Sequence, residues 1–172
     1  RSAIGAPGIP PNPVLIGLAL FLTFFVMQPV FEASFNQGIM PMTEGRISEL
    51  AGLEAAAQPF RLFMVANIRE DDLLLCLDLG GIQAVADPAQ TPWRALIPAF
   101  IVGELKRAFE IGFLLFLPFL IIDMVIASLL MSLGMMMLPP SVVALPFKLI
   151  FFVLVDGWRL VSGSLVQGFN LN

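Results

Sequence analysis

An all-α, membrane-associated fold is predicted by three features of this 172-residue sequence. Hydrophobic residues make up 58% of the chain and charged residues 13%, compared with about 45–50% and about 25% in ordinary soluble domains. The charges are concentrated, with 11 acidic and 6 basic residues inside residues 31–110. Long apolar blocks flank this segment, and no alternating strand pattern stands out. We therefore expect helical hairpins of kinked apolar helices with a small helical insert.

The composition excludes several classes of function. A net charge of −4 leaves no basic surface for nucleic acid. The chain has no histidine and a single cysteine, Cys76, which rules out histidine acid–base catalysis, an intrachain disulfide and a zinc site. No G-x-x-x-x-G-K-[ST] loop occurs, and Asp156 lies in V-D-G-W rather than in the G-x-G-D setting of membrane aspartyl proteases. We predict a protein that is not an enzyme and holds no cofactor or metal.

The first apolar helix is expected within residues 1–30, which carry no charge after Arg1. Asn12 can cap this helix and Pro13 suits its first position. From Asn12 to residue 30 the helix is about 28 Å long at 1.5 Å per residue, close to the length needed to cross a bilayer. Pro29 should end the helix or bend its last turn.

Residues 31–92 form the predicted helical insert. Thr43 is a candidate N-cap for its first helix, and Pro59 is expected to break that helix and start another. A third helix should begin at Glu70, where three consecutive carboxylates favour the positive end of the helix dipole, and end at Gly80-Gly81. A solvated helix start explains the carboxylates better than a metal or partner site. They are Glu70, Asp71 and Asp72.

Two kinked apolar helices joined by a methionine-rich hinge are predicted in residues 93–172. The first runs from near Phe109 to Leu133 and the second occupies residues 141–169. Each contains a proline that should kink it, at Pro118 and Pro146 respectively.

The hinge between these two helices has the sequence G-M-M-M-L-P-P. A glycine stops a helix and a proline pair starts the next, so a tight helix–loop–helix turn is expected. The methionines either pack between the two arms or form a deformable plug when several copies meet, because methionine is flexible and polarisable. The turn residues are Gly134, Pro139 and Pro140, and the methionines are Met135, Met136 and Met137.

Ionisable residues inside apolar blocks are the other candidate functional residues, since such groups are costly in a bilayer and need a partner or a water-filled path. Asp156 and Arg159 are spaced so that they can pair within one helix. Asp123 and Lys148 have no opposite charge within a helical turn, so they need partners elsewhere in the fold or on another chain. A further charged cluster precedes the second block and forms either a charged helix surface or an intersubunit contact. Its members are Glu104, Lys106, Arg107 and Glu110.

Several long motifs resemble the FliP family of flagellar type III export-gate proteins, to which the virulence secretion counterparts also belong. They read P-P-N-P-V-L-I-G-L-A-L-F-L-T-F-F-V-M-Q-P-V, G-E-L-K-R-A-F-E-I-G-F, P-F-L-I-I-D-M-V-I-A-S-L-L-M-S-L-G-M-M-M-L-P-P and A-L-P-F-K-L-I-F-F-V-L-V-D-G-W. The resemblance covers Arg1 to Phe169 and is weakest in the insert, where helical character and the segment Q-P-F-R carry it. It implies a fragment that lacks an upstream signal peptide and a further apolar segment.

The resemblance implies a core subunit of the flagellar export gate in the bacterial inner membrane, within the flagellar basal body, with residues 31–92 periplasmic. Implied partners are further copies of the chain, the gate subunits FliQ and FliR, other flagellar export apparatus proteins and unfolded flagellar substrates. It also implies a methionine gasket at Met135, Met136 and Met137, and an intersubunit ion pair between Glu104 and Lys148. The residues by themselves, without this resemblance, leave two other functions possible. These are a small multi-pass ion or solute channel subunit that uses Asp123, and a structural membrane scaffold.

Overall fold

A computed structural model describes residues 8, 10–83, 87–135 and 137–169, and every regular element in that part of the chain is helical. A π-helical turn, Phe35–Ile39, follows the first α-helix, and a 3₁₀ turn, Pro88–Gln90, precedes the fifth. The predicted all-α fold is confirmed. The α-helices are α1 (Asn12–Ser34), α2 (Met40–Thr43), α3 (Glu49–Asn67), α4 (Glu70–Leu79), α5 (Trp93–Ser132), α6 (Pro140–Leu154) and α7 (Gly157–Gln167).

Two helical stretches are long and apolar enough to cross a membrane. One runs from Asn12 to Thr43 and has a mean hydropathy of 2.3, and the other is α5, with 2.6. Helices α6 and α7 add a third if this pair, which is bent by 61°, counts as one span. These features are those of a membrane protein.

Helix α1 starts at Asn12 as expected, but Pro29 does not end it, because the helix runs past this residue to Ser34. A proline inside a helix removes one backbone hydrogen bond. Ending an apolar helix there would leave several more carbonyls without donors, so continuation is the less costly outcome. The helix changes to π geometry only after Ser34.

Two boundaries inside the insert also differ from the prediction. Thr43 ends α2 instead of capping α3, and its hydroxyl donates to the Met40 carbonyl at 2.9 Å. Ser48 is the N-cap, accepting from the Ala51 N–H at 3.4 Å. Helix α3 then continues through Pro59, which is buried within it.

Packing on both sides of Pro59 explains why α3 does not break. The ring of Phe60 packs edge-on against Phe31, with 5.8 Å between ring centroids. The Ser34 hydroxyl donates to the Ala56 carbonyl at 2.8 Å. These contacts hold the helix in place across the missing hydrogen bond.

The acidic start of α4 and its glycine end agree with the prediction. Helix α4 begins at Glu70, and Gly81 adopts a left-handed φ of +59° just beyond its end. The N–H of Gly81 donates to the Asp78 carbonyl at 3.0 Å and that of Ile82 to Leu77 at 2.9 Å. This is the Schellman pattern, which satisfies the last carbonyls of a helix.

Helix α5 begins at Trp93, well before the predicted start near Phe109. The charged cluster ends the apolar pattern but not the helix, because Glu, Lys and Arg are good helix formers. Ala95, Leu96 and Ala99 at its start are fully buried, so packing fixes this early portion. Helix α5 has 40 residues and runs through Pro118, which gives a length of about 60 Å, twice the thickness of the hydrocarbon core.

Pro146 lies inside α6, and the helix continues through it. The break lies at Val155 and Asp156, between α6 and α7, where Asp156 has a left-handed φ of 52°. Gly157 follows directly, and a side chain there would overlap the ring of Phe152. The bend therefore depends on this left-handed residue and on a close ring contact, not on proline.

The chain divides into two compact units, residues 1–19 with 107–165 and residues 20–106 with 166–172. The first contains the hairpin of α5 and α6, where Phe119 packs edge-on against Phe151, with 5.9 Å between ring centroids. The second contains the insert, with a core cluster of Leu73, Leu77, Ala95 and Ala99. Cys76 packs against this cluster but is half-buried.

Glycines allow the π-helical turn to approach α3 closely. A Cβ at Gly38 would lie 2.5 Å from both the Ala56 Cβ and the Gly52 carbonyl oxygen. In turn, a Cβ at Gly52 would lie 2.7 Å from the Met42 Cβ. The insert therefore depends on small residues at this crossing.

We expect Gly38→Ala to destabilise the folded subunit by roughly 1–3 kcal/mol, because the added methyl group meets backbone atoms that cannot rotate away. Thermal unfolding of the purified protein in detergent measures this effect. Gly112→Ala is the matched control, since a Cβ at Gly112 meets nothing within 4 Å. Equal melting temperatures for the two variants would contradict the close packing of Gly38.

Candidate functional site

The methionine-bearing turn between α5 and α6 has a well-defined start and end. Gly134 adopts a left-handed φ of +74°. Its N–H donates to the Met131 carbonyl at 3.1 Å, and the Met135 N–H donates to Leu130 at 2.9 Å. These two bonds again form the Schellman pattern. On the far side α6 begins at Pro140, so the predicted helix–loop–helix turn is confirmed.

The methionine side chains of this turn are largely exposed within the single chain. Met137 is 97% exposed and Met135 is 47% exposed, whereas Met136 lies outside the described residues. Packing between the two arms, the alternative raised by the sequence, does not account for Met137. Its side chain is available for contact with another molecule.

An ion pair connects the two arms of the α5–α6 hairpin. Lys148 Nζ on α6 lies 2.5 Å from Asp123 Oδ2 on α5, and the two side chains are 5% and 30% exposed respectively. The sequence predicted that each residue needs a partner elsewhere in the fold or on another chain, and the hairpin supplies one. An isolated buried ammonium would be costly, so the pair explains how Lys148 is accommodated in an apolar helix.

Asp123 is only partly satisfied by this pairing. Its second carboxylate oxygen, Oδ1, is buried and has no hydrogen-bond partner among the described residues. A buried acceptor without a donor costs about 1–3 kcal/mol. The carboxylate is also engaged by an ammonium, which does not suit the channel alternative in which Asp123 would bind a passing ion.

Glu104 lies on α5 within the compact unit that contains the insert. Glu104, Arg107 and Glu110 each make at least one interaction within the structure, as expected for charges spaced one turn apart. The pairing of Glu104 with Lys148 between two copies stays a prediction.

The prediction placed Asp156 and Arg159 in the same helix, and this placement was wrong. Asp156 lies in the break before α7 with a left-handed backbone. Its main-chain carbonyl, rather than its carboxylate, accepts from the Arg159 N–H at 3.0 Å. Asp156 therefore contributes to the start of α7 through its backbone.

No role was predicted for Arg61, which the structure places at a junction in the insert. Its guanidinium donates to the carbonyls of Ala89 at 3.1 Å and Thr91 at 2.7 Å. It also lies over the Trp93 ring, 4.4 Å from the centroid, a favourable cation–π geometry. Arg61 thereby ties α3 to the segment that leads into α5. Its position in the Q-P-F-R segment was the signal that could have indicated it.

The three carboxylates at the start of α4 have a structural explanation as a helix N-terminus. In the described ranges no group of three or more His, Cys, Asp or Glu residues is arranged to hold a metal ion. The features with functional potential are the exposed methionine turn and the Asp123–Lys148 ion pair in the same hairpin.

The family model and the individual proteins that match this chain all belong to the FliP family. A model of the FliP family matches residues 1–165. The chain is 58% identical over 169 residues to the flagellar biosynthetic protein FliP of Caulobacter vibrioides, covering 98% of this chain and 64% of that protein. For the protein of the same name from Pectobacterium carotovorum the identity is 53%, covering 98% and 66%. For that of Cereibacter sphaeroides it is 54%, covering 98% and 56%.

The chain thus spans somewhat less than two thirds of the length of these relatives. The matched region nevertheless includes both α5 and α6, the turn between them and the whole insert. The ion pair and the described part of the methionine turn lie inside the shared region. On this match over nearly its whole length, the chain belongs to the FliP family.

Proposed function

We propose that this chain forms part of a core subunit of the flagellar type III protein export gate, through which unfolded flagellar proteins are secreted. The observation that carries the proposal is the near-complete exposure of Met137 at the tip of the hairpin. An unbranched thioether exposed to this degree is suited to contact a neighbouring copy or a passing polypeptide. The family membership and the flagellar name of the relatives support the same function.

In this proposal the turns of several copies converge on one axis. Met135, Met136 and Met137 of each copy then form a ring of thioethers, which excludes water because narrow apolar constrictions dewet. Gly134 and Pro140 define the two ends of the turn by their backbone geometry. The ring is therefore a soft seal at the tip of two rigid helical arms.

The partners and location follow from the same proposal. Further copies of the chain, the gate subunits FliQ and FliR, and other flagellar export apparatus proteins surround it in the bacterial inner membrane. The strongly apolar outer surfaces of α1, α5 and α6 support such burial, since large exposed apolar surfaces mark membrane or protein contacts. Residues 31–92 lie on the periplasmic side.

Replacing Met135, Met136 and Met137 together with alanine should make the assembled gate leak, because most of the sealing side-chain volume is removed. Leucine at the three positions should keep the seal and slow export, since branched side chains adapt less well. Leakage of ions or small solutes in cells that express the gate measures both effects. Met40→Ala, in the insert, is the control. A fully assembled alanine variant with parental leakage would contradict the seal.

Lys148→Ala should abolish assembly of the gate, because loss of one member of a desolvated pair leaves an unpaired charge at a cost of roughly 3–5 kcal/mol. Glu104→Lys combined with Lys148→Glu and Asp123→Asn should restore assembly in part, because Asp123→Asn removes the carboxylate that would otherwise repel the introduced glutamate. Co-purification of the subunits after mild detergent extraction measures assembly. Normal assembly and export by Lys148→Ala and by Glu104→Lys, each made alone, would show that the pair is not structural.

A cysteine placed in the insert should react from the periplasmic side. Asp71 is exposed, so Asp71→Cys, made together with Cys76→Ser, gives a single accessible thiol. A membrane-impermeant thiol reagent should label it in spheroplasts with an intact inner membrane. Lysed spheroplasts provide the reactivity control. Labelling only after lysis would place the insert on the cytoplasmic side instead.

A further inference from the structure

We propose that Asp123 acts as an intrachain guard of Lys148, holding the ammonium until the carboxylate of a neighbouring copy replaces it during assembly. The inference rests on the gate function and on the Glu104–Lys148 contact proposed above. It adds a step to that contact, in which Lys148 exchanges one carboxylate for another. Its basis is the ion pair of the hairpin and the burial of its two members.

The burial of Lys148 shows why an exchange is needed. The residue is 4% exposed and its Nζ already lies 2.5 Å from Asp123 Oδ2. Within the described part of the chain the lysine is almost fully covered, so a neighbouring copy cannot contact its ammonium directly. A carboxylate from a neighbour reaches Nζ only if the hairpin adjusts and Asp123 yields its place.

The same geometry identifies Asp123 as the member that moves. Its side chain is 30% exposed, against 5% for Lys148, so it has a route toward the surface that the lysine lacks. Its Oδ1 is buried without a hydrogen-bond partner among the described residues, and rotation outward would relieve that unsatisfied acceptor. The intrachain pair is therefore sufficient to shield the lysine but is not fully satisfied.

The exchange has to be concerted because a buried ammonium cannot stay unpaired at low cost. The incoming carboxylate must arrive as Asp123 leaves. Since Asp123 and Lys148 are on opposite arms of the hairpin that carries the methionine turn, the exchange changes the link between those arms at the moment of assembly. Subunit association thereby changes the contact that holds together the two arms carrying the methionine turn.

A charge swap within the pair distinguishes an assembled subunit that keeps its intrachain ion pair from one that has exchanged Asp123 for Glu104 of a neighbour. Asp123→Lys combined with Lys148→Asp restores an intrachain pair but presents an acid to Glu104 of the neighbour. The exchange predicts a subunit with a parental melting temperature whose assembly falls roughly a hundredfold. Adding Glu104→Lys to the swap should recover most of the assembly. The variants are made in the full gene product, with unfolding of the free subunit and co-purification with FliQ and FliR as readouts.

Asp123→Asn provides a second test if the swapped subunit fails to fold. Loss of the guard charge should lower the melting temperature of the free subunit while leaving the stability of the assembled complex at the parental level. An equal loss in the free and assembled states would show that the pair persists in the gate, and would overturn the exchange. Glu54→Gln, at an exposed position of α3, is the matched control.

The outcomes distinguish the two proposals. Parental assembly of the double swap overturns the exchange but leaves the gate function intact, because the complex still forms. Failure of the unmodified protein to co-purify with the gate subunits contradicts the proposed function itself, and the guard with it. Both proposals are supported if the double swap folds stably but does not assemble, and the triple variant with Glu104→Lys assembles again.

Discussion

Unsatisfied polar groups in apolar surroundings are the constraint on which the rest of this structure depends. Backbone N–H and C=O groups must pair within the chain where water is scarce, which favours helices in the long apolar stretches of α1, α5 and α6. The same constraint applies to the end of α5, which closes with a left-handed glycine that satisfies its last carbonyls. It also governs the buried Lys148, which is accommodated by a carboxylate on the opposite arm.

The two compact units meet this constraint with different packing. In the insert, small residues let the π-helical turn lie directly against α3, and Arg61 satisfies two loop carbonyls at once. In the hairpin, aromatic rings and one ion pair join the arms, while the turn at their tip stays exposed. Rigid arms with an adaptable tip are the arrangement that the proposed gate requires.

The prolines show where local signals fail in such a chain. Pro29 suggested an end or a bend and Pro59 a break, yet neither proline ends its helix, since α1 and α3 continue through them. A single lost hydrogen bond is a small cost beside the several that a helix end would leave open in apolar surroundings. The break instead occurs at Asp156, where a left-handed residue is followed by a glycine against the Phe152 ring.

The sequence by itself determined the helical class, the apolar blocks and the glycine–proline turn, because hydrophobic pattern and turn chemistry are local properties. Its long motifs also indicated the family before any geometry was known. Only the tertiary structure decided that Lys148 pairs with Asp123, 25 residues away, and that Arg61 spans 30 residues to reach Thr91. Such partners are chosen by which helix faces meet. That choice depends on the packing of whole helices, which no local spacing of charges reveals.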